Sequence, residues 1–216
     1  AGQAQTGTGK TLAFLVATFN HLLKNPIEQE RKANQIRSLI MAPTRELAIQ
    51  IYNDAKPLAE KTGLKLALVY GGDGYDKQIS DLEKGADIVI ATTGRLIDFM
   101  KQGHIDLRGV QAAVLDEADR MLDMGFIDDI NKILERLPAT RQNLLFSATM
   151  SDDVRGLAKR SINNPVEISL VNNDATKPNI EQWLVTVDKT NKSALLSYLI
   201  KEHQWDQALI FIETKH

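Results

Sequence analysis

The sequence predicts an α/β fold in which a parallel sheet is covered by helices on both faces. Brief, nearly all-apolar runs alternate with helical patterns from end to end, as expected of strands buried on both sides and joined by crossover helices. Gly63, Gly85 and Gly103 fall just past three helical segments, where a left-handed cap favours glycine. The most chemically distinctive groups follow the ends of the apolar runs, and ligands of parallel sheets gather at the carboxyl ends of the strands.

The elements follow in order. Lys10-Thr11 leads into the apolar run Leu12 to Ala17 and opens a helix. Strands are expected at Ser38 to Ala42, Leu64 to Tyr70, Asp87 to Ala91, Ala112 to Leu115, Asn143 to Phe146 and Val166 to Leu170. Each is too short and too apolar for an amphipathic helix. Helices are expected at Arg45 to Glu60, Asp76 to Glu83, Arg95 to Lys101, Gly125 to Arg136 and Asp152 to Ser161. Ser151 followed by Asp152 and Asp153 is a strong start for the last of these.

The polar stretch Val171 to Pro178 breaks the rhythm and reads as a linker between residues 1–170, a first domain, and residues 179–216, the beginning of a second. There, Ile180 to Val187 and Ala208 to Ile212 read as strands and Lys192 to Glu202 as a helix. Three such elements are too few to close a core. A sequence continuing past His216 is therefore expected, and so is a core strand upstream of Ala1.

At 216 residues the chain can bury a sizeable core. It has no cysteine, which excludes a disulfide framework, a thiolate nucleophile and cysteine-based metal sites and suits a reducing cytoplasm. No apolar run reaches the ~20 residues needed to span a bilayer. The formal net charge is −2, so any nucleic-acid binding must use a local patch and backbone amides. Asn191-Lys192-Ser193 matches a glycosylation acceptor, a triplet common by chance. His21, His104 and the pair Asp128-Asp129 read as surface residues, Phe126 as core, and Trp183 and Trp205 as packing aromatics.

The run Ala4-Gln5-Thr6-Gly7-Thr8-Gly9-Lys10-Thr11 reads as a phosphate-binding loop. Gly7 and Gly9 let backbone amides turn toward phosphates, and the following helix adds its positive dipole end. Lys10 then serves the outer phosphates and the Thr11 hydroxyl a magnesium ion. Ala4 stands where the first glycine is usual, which is tolerable if its backbone stays extended. Asp116-Glu117 closes an apolar run, the form of a second nucleotide motif. Asp116 is the expected magnesium ligand, partly through water, and Glu117 the base for an attacking water.

With Asp116-Glu117-Ala118-Asp119 in place, the sequence resembles the DEAD-box RNA helicases over essentially its whole length. Pro43-Thr44-Arg45-Glu46-Leu47-Ala48, Gly71-Gly72, Thr92-Thr93-Gly94-Arg95, Ser147-Ala148-Thr149 and Leu209 to Thr214 match further family motifs in order. Thr93 stands where proline is usual, implying a less rigid loop. The resemblance implies a RecA-like sheet, the start of a second RecA-like domain, ATP and Mg2+ as cofactors, and ATP-driven local unwinding of RNA duplexes. It implies RNA-backbone contacts from Pro43, Thr44, Arg45, Gly71, Gly72, Thr92, Gly94 and Arg95. Asp119, Ser147 and Thr149 would couple the nucleotide to the RNA face. The run Tyr70 to Gln78 resembles the bacterial branch that works with RNA degradosome proteins. The residue types agree, since a guanidinium fork, exposed amides and a hydroxyl suit phosphate oxygens and none is arranged to read bases.

Two family features fall outside this sequence: the adenine-reading glutamine and the arginines of the second domain. The chain by itself is accordingly expected to bind nucleotide weakly and hydrolyse it slowly. An ATP-gated RNA clamp is the competing expectation. A DNA translocase fits the acidic and Ser-Ala-Thr motifs less well.

Overall fold

A computed structural model describes residues 1–4, 7–27, 31–72, 74–162, 164–170, 181 and 183–212. Gln5, Thr6, Asp73, the expected linker at 171–178 and Glu213-Thr214 lie outside the described residues. The chain divides into two units, Ala1–Asn173 and Asp174–His216.

In the first unit the elements run β1 (Gly2–Gln3), α1 (Lys10–Lys24), β2 (Ser38–Ala42), α2 (Arg45–Thr62), β3 (Leu66–Val69), α3 (Tyr75–Glu83) and β4 (Ile88–Thr92). They continue with α4 (Thr93–Lys101), β5 (Ala112–Leu115), α5 (Ala118–Asp123), α6 (Ile127–Leu134), β6 (Gln142–Ser147), α7 (Asp152–Ser161) and β7 (Ile168–Ser169). All seven strands are parallel, in the order β3-β4-β2-β5-β6-β1-β7. In register, Ile40 sits between Ile90 and Val114, and Gln3 lies beside Ser147.

Alternation along the strands sorts their side chains onto two faces. Ile40, Ala42, Ile88, Ile90 and Val114 pack with Phe14, Phe19 and Leu22 of α1 and with Ile51 and Ala55 of α2. Leu39, Met41, Val89, Ala91, Ala113 and Leu115 pack with Leu96 and Phe99 of α4, Met121 of α5, Ile130 of α6 and Leu157 of α7. Covered on both sides, β2 and β5 are buried at every position.

Two helix starts carry side-chain caps. The Thr44 hydroxyl accepts from the Leu47 amide at 3.3 Å and Ser151 does the same for Val154, satisfying free N–H groups of α2 and α7. The stretch expected as one helix from Gly125 is in fact the end of a pair. Helix α5 was not anticipated, and Gly125 in a left-handed conformation separates it from α6. At the amino ends of the strands, Asp87 accepts from Arg31 and from the Lys65 amide and lies 3.8 Å from an Arg37 nitrogen.

The second unit holds a 3-10 turn at Lys189–Asn191 and α8 (Lys192–Glu202). The strands expected near 180–187 and 208–212 are not formed among the described residues. A strand exists only through a partner ladder, and these apolar runs find none. Trp183, His203 and Trp205 gather instead, with the Trp183 and Trp205 rings 6.4 Å apart and Trp205 stacked on His203 at 5.1 Å.

Candidate functional site

The phosphate-loop residues sit where β1 ends and α1 begins. Two hydrogen-bonded residues suffice for β1 because β6 and β7 flank it. Gly7 and Gly9 have φ of 79° and 85°, with open space where a Cβ would project. Glycine is required there by backbone conformation, not by crowding. Ala4 is buried and is not among the left-handed non-glycine positions, which are Glu117, Asn164 and Gln204 among the described residues. The glycine usual at that position is therefore dispensable. Lys10 folds back to donate to the Ala4 carbonyl at 2.6 Å, and Thr11 follows it in the first turn of α1. A cavity of about 280 Å3 beside the loop is lined by Gln3, Ala4, Thr8, Gly9, Phe146 and Leu170 among others.

Asp116 follows β5, two strands from β1 across β6. It is 3% exposed, and burial pushes its carboxyl up to about 6. A hydrogen bond from the Glu117 amide and the charge of Lys10 oppose that shift, while Glu117 and Asp119 add to it. Lys10 and Asp116 thus share one electrostatic neighbourhood. Glu117 takes a left-handed backbone, φ 51° and ψ 52°, a conformation costing a non-glycine residue ~1–3 kcal/mol and concentrated at functional sites. Its carboxylate accepts from Arg120 at 3.2 Å.

Ser147 links these parts. Its carbonyl accepts from the Ala4 amide at 3.2 Å and its fully buried hydroxyl from the Asp119 amide at 3.3 Å. The Asp119 carboxylate accepts in turn from the Thr149 amide at 2.9 Å and the Thr149 hydroxyl at 3.0 Å. Burial works against the Asp119 charge, but the hydrogen bonds around Ser147 and Thr149 outweigh it and hold the carboxyl below the usual range.

The residues expected to meet nucleic acid follow β2, β3 and β4. Pro43 is buried, Thr44 caps α2, and Arg45 opens it with its guanidinium 4.7 Å over the Tyr70 ring. A Cβ on Gly72 would lie 3.6 Å from that guanidinium, so Arg45 and the Gly71-Gly72 turn are neighbours. Thr92 caps α4, Gly94 is open to solvent, and Arg95 lies 4.8 Å over Tyr75. One Arg95 nitrogen is buried without a hydrogen-bond partner among the described residues. Thr93 corrects an expectation: it is the buried first residue of α4, not part of a loose loop.

Tyr70, Tyr75 and Gln78 enter the sequence reading only as members of the run Tyr70 to Gln78, with no structural role assigned to any of them. Buried Gln78 clamps Tyr70 by accepting from its amide at 3.0 Å and donating to its carbonyl at 3.1 Å. The available signal was a glutamine one turn into a helix that follows a glycine pair.

The chain matches the family model described as DEAD/DEAH box helicase over residues 1–157. It is 56% identical to the ATP-dependent RNA helicase RhlB of Escherichia coli (strain K12 / DH10B) and 55% identical to RhlB of Cronobacter sakazakii, covering all of this chain and 52% of each relative. It therefore spans about half the length of these curated relatives. A DEAD box protein from the hyperthermophile Methanococcus jannaschii superposes with a TM-score of 0.69 at 38% identity, over 93% of this chain and 52% of that one. A hypothetical ATP-dependent RNA helicase from Sulfolobus tokodaii gives 0.68 at 38%, over 78% of this chain and 46% of that one. Those neighbours share the parallel RecA-like sheet. The chain belongs to the DEAD/DEAH box helicase family.

Proposed function

We propose that this chain is the ATP-binding half of an RNA helicase that grips the RNA backbone and locally opens short duplexes. The observation that carries this is the junction at Ser147, which ties the phosphate loop to the acidic segment and, through Asp119, to Thr149. Gly7 to Gly9 would turn amides toward the phosphates and Lys10 would leave the Ala4 carbonyl for them. Thr11 and Asp116 fit a magnesium ion, because a buried carboxylate pushed to about 6 is negative charge short of compensation. When bound, that ion supplies charge neutralisation to the transferring phosphate. Glu117, held in its left-handed turn, would orient and deprotonate the attacking water.

On the other side, Arg45, Thr44, Gly71, Gly72, Thr92, Gly94 and Arg95 would meet phosphates and sugars without reading bases. Pro43 would fix the turn. Cytoplasmic work in RNA decay, beside degradosome proteins, rests on the resemblance of Tyr70 to Gln78. No described helix is long and apolar enough to cross a membrane.

The test uses a labelled RNA duplex with a version of the protein extended to the length of its relatives. ATP-dependent strand release, lost in Lys10→Ala and in Glu117→Gln, is the expected result. RNA retained without release would replace unwinding with clamping, and unchanged ATP affinity in Lys10→Ala would remove the phosphate-loop assignment.

A further inference from the structure

A second concavity lies at the opposite edge of the sheet. Lys32 and Asn34 precede β2, and Ile105 to Leu107 precede β5, with Gln35 bridged to Asp106 in parallel fashion. Because every strand points the same way, these amino ends face away from Lys10, Asp116 and Arg45. The ends of α4 and α6 complete the walls of a cavity of about 690 Å3, within the ~300–1,000 Å3 of ordinary binding pockets.

Its floor is Ile97, Met100, Ile105 and Leu107, and its rim carries Lys32, Lys101, Arg108, Lys132 and Arg136. Asp106, the single acidic lining residue among the described residues, is held by Arg108 at 2.8 Å and also feels the charge of Lys32. Lys132 pairs with Asp129, while Lys32, Lys101 and Arg136 make no ion pair among the described residues. In a chain of net charge −2 this is a local excess of cations. Basic residues at helix carboxyl ends also offset the dipole, which accounts for Lys101 and Lys132 but not for Lys32, Arg108 or the apolar floor.

From this juxtaposition we infer that the cavity is a docking site for an acidic peptide segment of a partner protein, with an aliphatic side chain anchored on the floor and carboxylates on the rim. RNA fits it poorly, because no aromatic ring lines it for base stacking. Free phosphate fits poorly too, since the helix ends here present carbonyls, not amides.

The experiment is fluorescence anisotropy of this chain with three labelled peptides: glutamate alternating with leucine, glutamate with serine, and lysine with leucine. The glutamate–leucine peptide should bind most tightly and weaken with salt. Lys101→Glu combined with Arg136→Glu should lose at least about tenfold in affinity, and the Lys101→Gln, Arg136→Gln pair should lose less. Equal affinity for glutamate–serine reduces the cavity to a non-specific anion patch and overturns the inference. No detectable binding, or displacement of the peptide by oligouridylate in wild type and the charge-reversed variant alike, also overturns it.

Discussion

Asp116→Asn should make the nucleotide-free chain more stable while removing its response to magnesium nucleotide. The wild-type carboxyl is shifted by burial from 3.8 to about 6. That is about two units at ~1.4 kcal/mol each, so holding the ionised group in place at neutral pH costs about 3 kcal/mol. Asparagine keeps an acceptor for the Glu117 amide, now 3.0 Å away, and carries no charge to desolvate. That shift is already net of the attraction of Lys10; placing a new NH2 group returns some of the gain, leaving an expected gain of about 1–3 kcal/mol near neutral pH.

The pH dependence has a definite sign. A raised native value means that the native state holds more protons than the unfolded chain between about 4 and about 6. Stability from this group is complete below its unfolded value and is lost as pH rises through its folded value. The gap between variant and wild type should therefore open across that window and vanish below it, where both states of the wild type are protonated. Urea denaturation of both proteins from about pH 4 to about pH 8, without nucleotide, measures it. A gap independent of pH, or a variant less stable at neutral pH, would refute the claim that Asp116 is an uncompensated buried charge.

Gln78→Leu leaves the Tyr70 amide and carbonyl without their partner and should cost about 1–3 kcal/mol; anisotropy with single-stranded RNA should also show weaker binding, and unchanged binding would detach the clamp from the Gly71-Gly72 turn. Thr93→Pro places proline at the first position of a helix, where no N–H is needed, and should change stability by under about 1 kcal/mol with the gain favoured; a loss of several kcal/mol in thermal melts would contradict the assignment of α4. Asp87→Ala strands Arg31 and Arg37, and a loss of about 3–5 kcal/mol is expected, checked by the denaturation midpoint. Ser147→Ala removes the acceptor for the Asp119 amide while keeping the Ala4 hydrogen bond, so affinity for a fluorescent ATP analogue should fall less than about threefold; a larger loss would place Ser147 on the nucleotide itself.

The parallel sheet was legible because β2, β4 and β5 are buried on both faces and so read as unbroken apolar runs. The order of the strands was not legible, since nothing in Gly2-Gln3 signals a central position; β1 is defined by its neighbours. Glycines that need a left-handed backbone, such as Gly63 and Gly9, announce themselves by residue type. Glu117 in the same conformation does not, because glutamate as a residue type carries no preference for that backbone and the surrounding fold holds the strain. Gln78 was missed for a related reason: its partners are the amide and carbonyl of Tyr70, and backbone groups leave no mark in composition. The apolar runs of the second unit differ in the other direction, since β propensity is a statement about packing partners and no ladder is formed there among the described residues.

The two sides of the site are prepared in opposite senses, and this bears on how one ligand would influence the other. Arg45 and Arg95 are already oriented on Tyr70 and Tyr75 and make no ion pair among the described residues. Much of their side-chain entropy has been lost during folding, so a phosphate bound there would meet pre-set cations. Asp116 is instead left with excess negative charge, and Lys10 is parked on a carbonyl. On the proposed assignment the nucleotide side would be relieved by its ligand, whereas the RNA side would merely receive one. Ser147 and Asp119 join Ala4 to Thr149 through hydrogen bonds, so movement at Ala4 must be absorbed at Thr149 or break a bond on the way. If, as proposed, nucleotide binds at Asp116, coupling would require no contact between the ligands themselves, only that binding favour one of two arrangements of this short chain of bonds.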